Sequence, residues 1–458
     1  MNFAIIGAGL AGLTSAYEIR KQHADATIDV YEATDRIGGK LFTVPFQAGP
    51  TDMGAEAFLY RRKDAVEFFA ELGLTDSIVF PSGMKSLVYT GGATQPLPAG
   101  GVMGIPASSE PLAHVVSTET AARIDDEANQ PGIDWPVGGD LNVGTLVRAR
   151  LGDEVADHVV SALLGGVYSC TADDLGVRAT MPALAEELDR LVEAGEQATL
   201  TGAVRNLAAD KTKSDEPVFG TFKGGYTELY ETLAEKSGAD IYVDAFVSGI
   251  EKTDGGYKIT GGQDTIYDRV LIATPAPTTA LLLKKVAPEA SETLKAVKLA
   301  DSALVGMRFE SAEGLPDNSG VLVASDEPDV HAKAFTFSSK KWPHIGDRGG
   351  ALVRASFGRF GDTTALRASE DDLVDWALDD LEKITGFDGR AAGLEEIYVQ
   401  RWFGGLPRYN ETHLATVEEV RGHLAGVAGI DVTGAWAGGV GVPAVIADAK
   451  SAAARISE

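Results

Sequence analysis

One cysteine, Cys170, is all that this chain of 458 residues carries. That excludes an internal disulfide and a cysteine-ligated metal cluster, and it fits a reducing compartment. A lone thiol of this kind reads as a small buried apolar side chain rather than a nucleophile. No stretch approaches the ~20 uninterrupted apolar residues of a membrane span. Cations are scarce: 40 Lys and Arg against 67 Asp and Glu leave a formal charge of −27, which argues against nucleic acid and anionic lipid as partners. The 7 histidines show no H-x-x-x-H or related ligand spacing, so no metal is expected. Internal repeats and a second G-x-G-x-x-G are missing as well. An apolar strand begins at Asn2, so the expectation is a cytoplasmic protein with no leader peptide.

What is present begins with that strand. Asn2 to Ile6 runs directly into Gly7-Ala8-Gly9-Leu10-Ala11-Gly12, and helical sequence follows to about Arg20. Strand, G-x-G-x-x-G and helix together read as a dinucleotide-binding turn. Gly7 makes the tight turn, Gly9 lets the backbone approach a pyrophosphate, and Gly12 lets helix and strand pack closely. The phosphates then meet the N–H groups of Leu10 and Ala11 at the positive helix end. A second strand, Thr27 to Glu32, ends in a carboxylate 20 positions past Gly12, where a ribose-binding acid belongs. The segment that follows, Ala33 to Lys40, brings Arg36 and another glycine pair, Gly38 and Gly39, so more backbone can run along a long ligand such as FAD. Arg269 to Pro277 reads as a buried strand ending in small residues, Thr274 among them. Near the end, Asp431 to Trp436 leads through Gly434 to Gly438-Gly439-Val440-Gly441-Val442-Pro443, where Pro443 opens an Ala-rich helix. The chain leaves the nucleotide site and returns to it twice.

These motifs resemble those of the protoporphyrinogen and coproporphyrinogen oxidases, flavoproteins of haem biosynthesis in the wider amine-oxidase-like group. The similarity runs over nearly the whole chain. It is carried by GAGLAG with EATDRIGGK (7–12, 32–40), DMGAEAFLYRRKDAVEFFAELGL (52–74), PLPAG and GIP (96–106), the LLGGVYS stretch within 151–182, and FGTFKGGYTEL (219–229). ATPAP, KKWPH (340–344), RWFGGLPRYNETH (401–413) and GVGVP complete it. LLGGVYS, TFKGG and the RW segment are the more specific of these.

The resemblance implies an α/β fold: a Rossmann-like FAD-binding domain of the amine-oxidase or glutathione-reductase-2 type, interleaved with a mixed-sheet substrate domain and a helical domain. Residues 1–75, 218–285 and 425–458 would bind FAD, 76–99 and 286–424 would bind substrate, and 100–200 would be helical. Val143–Leu151, Glu154–Tyr168 and Met181–Ala194 have helical apolar spacing. Ser117–Asp140 reads as an exposed acidic loop, Ala194–Pro217 as a polar surface connection, and Asp240–Ile250 as one extended segment. Within 286–424, strand-like runs at 302–309, 320–324, 334–337 and 351–357 and a helix at 370–383 suggest an antiparallel sheet, with further strands around 78–98.

By resemblance, Gly54, Ala55, Glu56 and Trp402 lie along the isoalloxazine, and the Val247 backbone meets the adenine. Lys40 is either a cation at the flavin edge or phosphates, or a solvated surface charge. Gly166 leaves space for a macrocycle walled by Tyr168. The implied reaction is the six-electron oxidation of coproporphyrinogen III to coproporphyrin III, with O₂ as acceptor and three H₂O₂ formed. Flavin N5 takes the hydride, so no catalytic side chain is expected. The resemblance also implies transient hand-over of product to other haem-pathway enzymes.

Three other readings stand beside this one: protoporphyrinogen IX oxidation, an amine or polyene oxidoreductase, and a flavin-free binding protein on the same fold. The substrate's propionates, four in coproporphyrinogen and two in protoporphyrinogen, require a local basic rim on so acidic a chain. Arg61-Arg62-Lys63 is the first candidate, with Arg148/Arg150 and Lys340/Lys341 behind it. The chain also departs from the family. Ala435 stands where an acid or amide follows the last strand's glycine, Trp436-Ala-Gly-Gly439 replaces aromatic-x-Asp-Gly, and Pro443-Ala-Val-Ile446 follows GVGV. Each departure removes a side-chain hydrogen bond to FAD of roughly 0.5–1.5 kcal/mol, which puts its tight retention in question.

Overall fold

Asn2–Ile6 (β1) is apolar and buried from Phe3 onward because both of its faces are covered. Phe3 and Ile5 point into one hydrophobic cluster, Ala4 and Ile6 into another on the opposite side, as strand alternation requires. The chain continues through α1 (Leu10–Gln22) and β2 (Thr27–Tyr31), and much later through α2 (Thr227–Ser237), β3 (Asp240–Tyr242), β4 (Arg269–Ile272), β5 (Ile430–Val432) and α3 (Val442–Ser457). The strands form one sheet in the order β3-β2-β1-β4-β5, and every pair is parallel. This is the doubly wound order of a dinucleotide fold.

On one face α1, α2 and α3 pack against Ile5, Ile28 and Leu271. Ala16, Ala449, Ala452 and Ala453 are all fully buried, and their small side chains let α1 and α3 approach until Ser15 Oγ donates to the Ala449 carbonyl at 3.1 Å. The other face is covered by an antiparallel three-stranded sheet, Gly249–Thr253, Gly256–Thr260 and Ile266–Tyr267, whose Tyr257 and Tyr267 join Val270 and Ile272 in the core.

The computed structural model describes residues 1–209 and 216–458. They divide into one compact unit of Met1–Phe80, Glu216–Lys298 and Ala415–Glu458, which holds the parallel sheet, and a second of Pro81–Asp215 and Leu299–Leu414. The second unit contains a seven-stranded sheet in the order Leu394–Pro407, Leu299–Phe309, Ala351–Phe357, Ala332–Thr336, Gly320–Val323, Leu87–Thr90, Ala93–Pro96. Only Gly320–Val323 and Leu87–Thr90 pair in parallel, so the sheet is mixed. Helix Glu370–Thr385 buries Leu373, Ala377, Leu378 and Leu381 against it. The helix starts at a Ser369–Asp372 capping box and stops at Gly386, φ +77°. The helical stretches Val143–Leu151, Ser161–Tyr168 and Pro182–Glu193 lie in the same unit.

Three local expectations need correction. Ser117–Asp140 is not an exposed loop. Ser117 caps a helix, Thr118–Asp125, by accepting from the Thr120 N–H, and Glu127 is fully buried. Its carboxylate accepts from Arg150 Nε (2.9 Å), from the Leu200 and Thr201 N–H groups and from Thr201 Oγ1. A polar, short segment hides this in sequence, because charge inventory does not reveal burial. Ala194–Pro217 likewise contains a helix, Leu200–Ala209, with Leu200, Ala203 and Val204 buried; positions 210–215 of that connection lie outside the described residues. Asp240–Ile250 is broken into two strands by Asp244, whose φ is +51°.

Candidate functional site

The first turn brings its glycines into tight backbone contact. Gly7 has φ +106°, and a Cβ there would sit 2.7 Å from the Ala273 carbonyl oxygen; a Cβ on Gly12 would sit 1.9 Å from that of Gly7. Substitution at either position must therefore move backbone. The first helical bond is Leu13 N–H to Gly9 C=O, so the N–H groups of Leu10, Ala11 and Gly12 have no intrahelical partner. No side chain caps this end, and its first turn has no acid. Helix α3 starts in the same way at Gly441, without a side-chain cap or an acid in its first turn, just after Val440 and at the buried Val442. Two uncapped helix N-termini are suited to anionic phosphate.

Glu32 follows β2, half-buried. Its Oε2 accepts from the Ala8 N–H of the first turn (3.0 Å), and Oε1 accepts from Thr34 N–H and Oγ1, each 2.9 Å. The carboxylate is thus held against the glycine turn while its remaining lone pairs can take ribose hydroxyls. Ala33 is exposed. The second glycine pair lies on the first: Gly38 N–H donates to Ala8 C=O at 2.8 Å, and Gly39 approaches Gly9 so closely that a Cβ would be 2.9 Å from its Cα. Arg36 fastens this loop by donating to the Gly39 carbonyl (2.9 Å) while stacking over Phe42 at 4.0 Å. Lys40 is exposed. Gly54 passes so close that a Cβ would meet the Lys40 carbonyl at 2.0 Å, and Ala55 N–H donates to that carbonyl. Glu56 follows, half-buried.

The two returning loops are joined by Trp436, which in the sequence is only a departure from the family pattern. Trp436 Nε1 donates to the Thr274 carbonyl at 3.1 Å, and the indole is buried. Behind Gly434, Asp448 of α3 accepts from Thr433 Oγ1 (2.7 Å) and the Gly434 N–H (3.4 Å) and pairs with Arg421. A lone Asp inside an Ala-rich helix was the available signal for this anchor. Val247 is buried beside the antiparallel sheet, in the connection between β3 and the strand Gly249–Thr253.

These contacts place Gly7, Gly9, Leu10, Ala11, Gly12, Glu32, Arg36, Gly39, Lys40, Gly54, Ala55, Thr274 and Gly434 on a connected set of loops in one unit. The glycine crowding, the uncapped helices and the fixed acid fit an extended dinucleotide. Among the described residues, no helix is long and apolar enough to cross a membrane.

Of the basic rim candidates, Arg62 pairs with Asp64 and Lys63 with Glu216. Arg148 is held by Asp153, Asp157 and Asp173, Arg150 by Glu127 and Lys340 by Asp317. These serve structural ion pairs. Arg61 is exposed and next to the ring pair Tyr60–Phe80, 4.8 Å apart.

In the second unit a π-helical turn, Val155–Val160, feeds the helix Ser161–Tyr168, a distortion often found at functional sites. Gly166 is exposed, and a Cβ there would meet only Leu322 at 3.6 Å. Tyr168 packs 5.9 Å from the Tyr409 ring, and burial pushes its phenol up to about 12. Cys170 is fully buried, its thiol also pushed up to about 12 by burial, so it is inert. Trp402 stands on strand Leu394–Pro407 opposite Ser302, where the ladder shifts register.

A family model described as flavin containing amine oxidoreductase matches residues 10–457. The chain is 40% identical over 458 residues to the coproporphyrinogen III oxidase of Mycobacterium tuberculosis (strain H37Rv), covering 100% of this chain and 97% of that one. It is 29% identical over 462 residues to the Bacillus subtilis (strain 168) coproporphyrinogen III oxidase, covering 98% and 96%. A crystal structure from Exiguobacterium sp. 255-15, named provisionally as a protoporphyrinogen oxidase, superposes with a TM-score of 0.86 at 26% identity, covering 100% and 98%.

Proposed function

The chain belongs to the family of flavin-containing amine oxidoreductases, and on that premise we propose that it oxidises coproporphyrinogen III to coproporphyrin III in haem biosynthesis. What carries this reading is a similarity that extends from the first glycine turn to α3, at 40% identity to a coproporphyrinogen III oxidase.

The cofactor of the reading is FAD, which supplies a hydride acceptor and a path for electrons to O₂. Leu10, Ala11 and Gly12 offer their free N–H groups to its pyrophosphate, and Glu32, steadied by Ala8 and Thr34, takes the ribose hydroxyls. Gly441 and Val442 present a second helix start, while Trp436 holds Thr274 and Gly434 at the right separation. Arg36, Gly39, Lys40, Gly54, Ala55, Glu56, Val247 and Trp402 complete the assigned contacts. Gly166 and Tyr168 shape the macrocycle's wall, and Arg61 meets a propionate. No side chain is assigned a proton transfer: the chain's task is to hold a large ring in one pose and exclude others. Under this reading residues 1–75, 218–285 and 425–458 serve the cofactor and the remainder the substrate, and the work is done in the cytoplasm, with product passed to other haem-pathway enzymes.

Anaerobic mixing of the FAD-loaded protein with each porphyrinogen tests it. Coproporphyrinogen III should bleach the flavin absorbance, and admitted O₂ should restore it with porphyrin fluorescence and H₂O₂. Bleaching by protoporphyrinogen IX in preference, or by neither, would overturn the assignment.

A further inference from the structure

Beneath the helix Ser161–Tyr168 lie two cations with no role in the preceding account, Lys333 buried and Arg359 partly buried. Lys333, in strand Ala332–Thr336, is 4% exposed. Its Nζ donates to Ser169 Oγ and to the Gly358 carbonyl, each at 2.6 Å, which leaves one N–H to spare. Arg359 follows Gly358 and donates through Nη2 to the Val323 carbonyl at 3.1 Å, while its Nε is buried without a partner.

Among the described residues, neither cation has a carboxylate within 4.0 Å. Asp362, which acts on both through space, is exposed. The other titratable neighbour of Lys333 is Cys170, itself near Asp174 and Arg408. Burial, reinforced by Arg359, pulls Lys333 down to about 7, and burial also lowers Arg359. In a chain with 67 acids and 40 Lys and Arg, two desolvated cations left without an acid are costly unless an anion completes them.

A purely structural role accounts for Lys333, which ties Ser169, in the left-handed region at φ +52°, to the turn at Gly358. It does not account for the unpaired Arg359 Nε. The helix above has no side chain in the way: a Cβ on Gly165 would lie 3.8 Å from that Nε, and the next residues, Gly166 and Val167, are exposed.

We propose that Arg359, steadied by Lys333, receives a propionate carboxylate of the tetrapyrrole at the Gly165–Gly166 step. This rests on the porphyrinogen reading above. Arg359 is the contact and Lys333 the positioning residue, whose proton is taken up as the anion binds.

The test is binding of coproporphyrin III and of its uncharged tetramethyl ester to the FAD-loaded protein, followed by fluorescence quenching. Arg359→Gln should raise the Kd for the acid about 10- to 100-fold, the range for a charged hydrogen bond, and leave the ester's Kd unchanged. Gly165→Ala adds a methyl at ordinary contact distance to a helix position that tolerates it, keeps both charges, and should weaken the acid alone. Wild-type affinity for the acid should fall as pH rises through 7 to 9, and Lys333→Met should abolish that slope. Unchanged affinity for the acid in both variants, or equal losses for acid and ester, would overturn the proposal. Should Arg359→Gln fail to fold, Gly165→Ala decides alone. A wild-type protein that binds neither porphyrin would instead overturn the porphyrinogen reading, and this inference with it.

Discussion

Trp436 and Thr274, 162 positions apart, are joined by an indole N–H donated to a backbone carbonyl at 3.1 Å. The bond ties the loop after β4 to the loop after β5, so two of the three passes of the chain through the nucleotide cradle are held in register by one buried side chain. Trp436→Phe keeps an aromatic ring in place and removes the donor. Loss of one neutral hydrogen bond is worth about 0.5–1.5 kcal/mol, and the Kd for FAD should rise about 2- to 12-fold. Titration of the apoprotein with FAD measures it; an unchanged Kd would show that the loops hold their spacing without the bond.

Glu127 and Arg150 test the second unit. Glu127→Ala leaves a buried guanidinium without its charge partner, a loss of about 3–5 kcal/mol. For a unit of this size the melting temperature should fall by roughly 6–20 °C. Replacing both residues with apolar ones should restore much of that loss. Thermal melts of the two variants, read at the unit's own transition, make the comparison.

Lys333 should leave a pH signature on stability. Its folded value, about 7 because of burial, lies below that of an unfolded lysine. The unfolded chain therefore binds more protons between about pH 7 and the ordinary lysine range, and stability rises with pH across that window. Below pH 7 the cost of burying the charge is present in full. Relative to Lys333→Met, the wild type should gain a few kcal/mol between pH 7 and 10. A melting-temperature difference that stays flat over that range would contradict a buried ammonium.

Arg61 is exposed, and no carboxylate neutralises it among the described residues. If it meets a propionate, Arg61→Ala should raise KM for coproporphyrinogen about two- to fivefold, the scale of an exposed ion pair, and raise it less for protoporphyrinogen, with kcat retained. Equal changes for both substrates would count against the contact.

Much of the cradle was legible in one dimension. The glycine turn, Glu32 at its spacing, the second glycine pair and the Pro443 helix start are local patterns whose geometry follows from φ preferences and helix ends. The helices Val143–Leu151 and Pro182–Glu193 were legible for the same reason, since a 3.6-residue apolar period shows wherever one face is buried. The helix Thr118–Asp125 was not, because it is short and mostly polar, with only Ile124 buried. Arg148 and Arg150 could not be told from rim cations either, because what distinguishes them is the carboxylates they meet.

The order of residues alone determined that a strand would run into a phosphate-binding helix, that an acid would stand 20 residues beyond it, and that the chain would return to that place twice. These are consequences of backbone stereochemistry acting over a few neighbours. Only the tertiary structure decided that Trp436 would bind Thr274, that Asp448 would anchor Gly434, and that Lys333 and Arg359 would lie under Ser161–Tyr168 with no acid paired to them among the described residues. Such contacts depend on how distant segments pack and on which charges lose their water, and neither leaves a periodic trace along the chain.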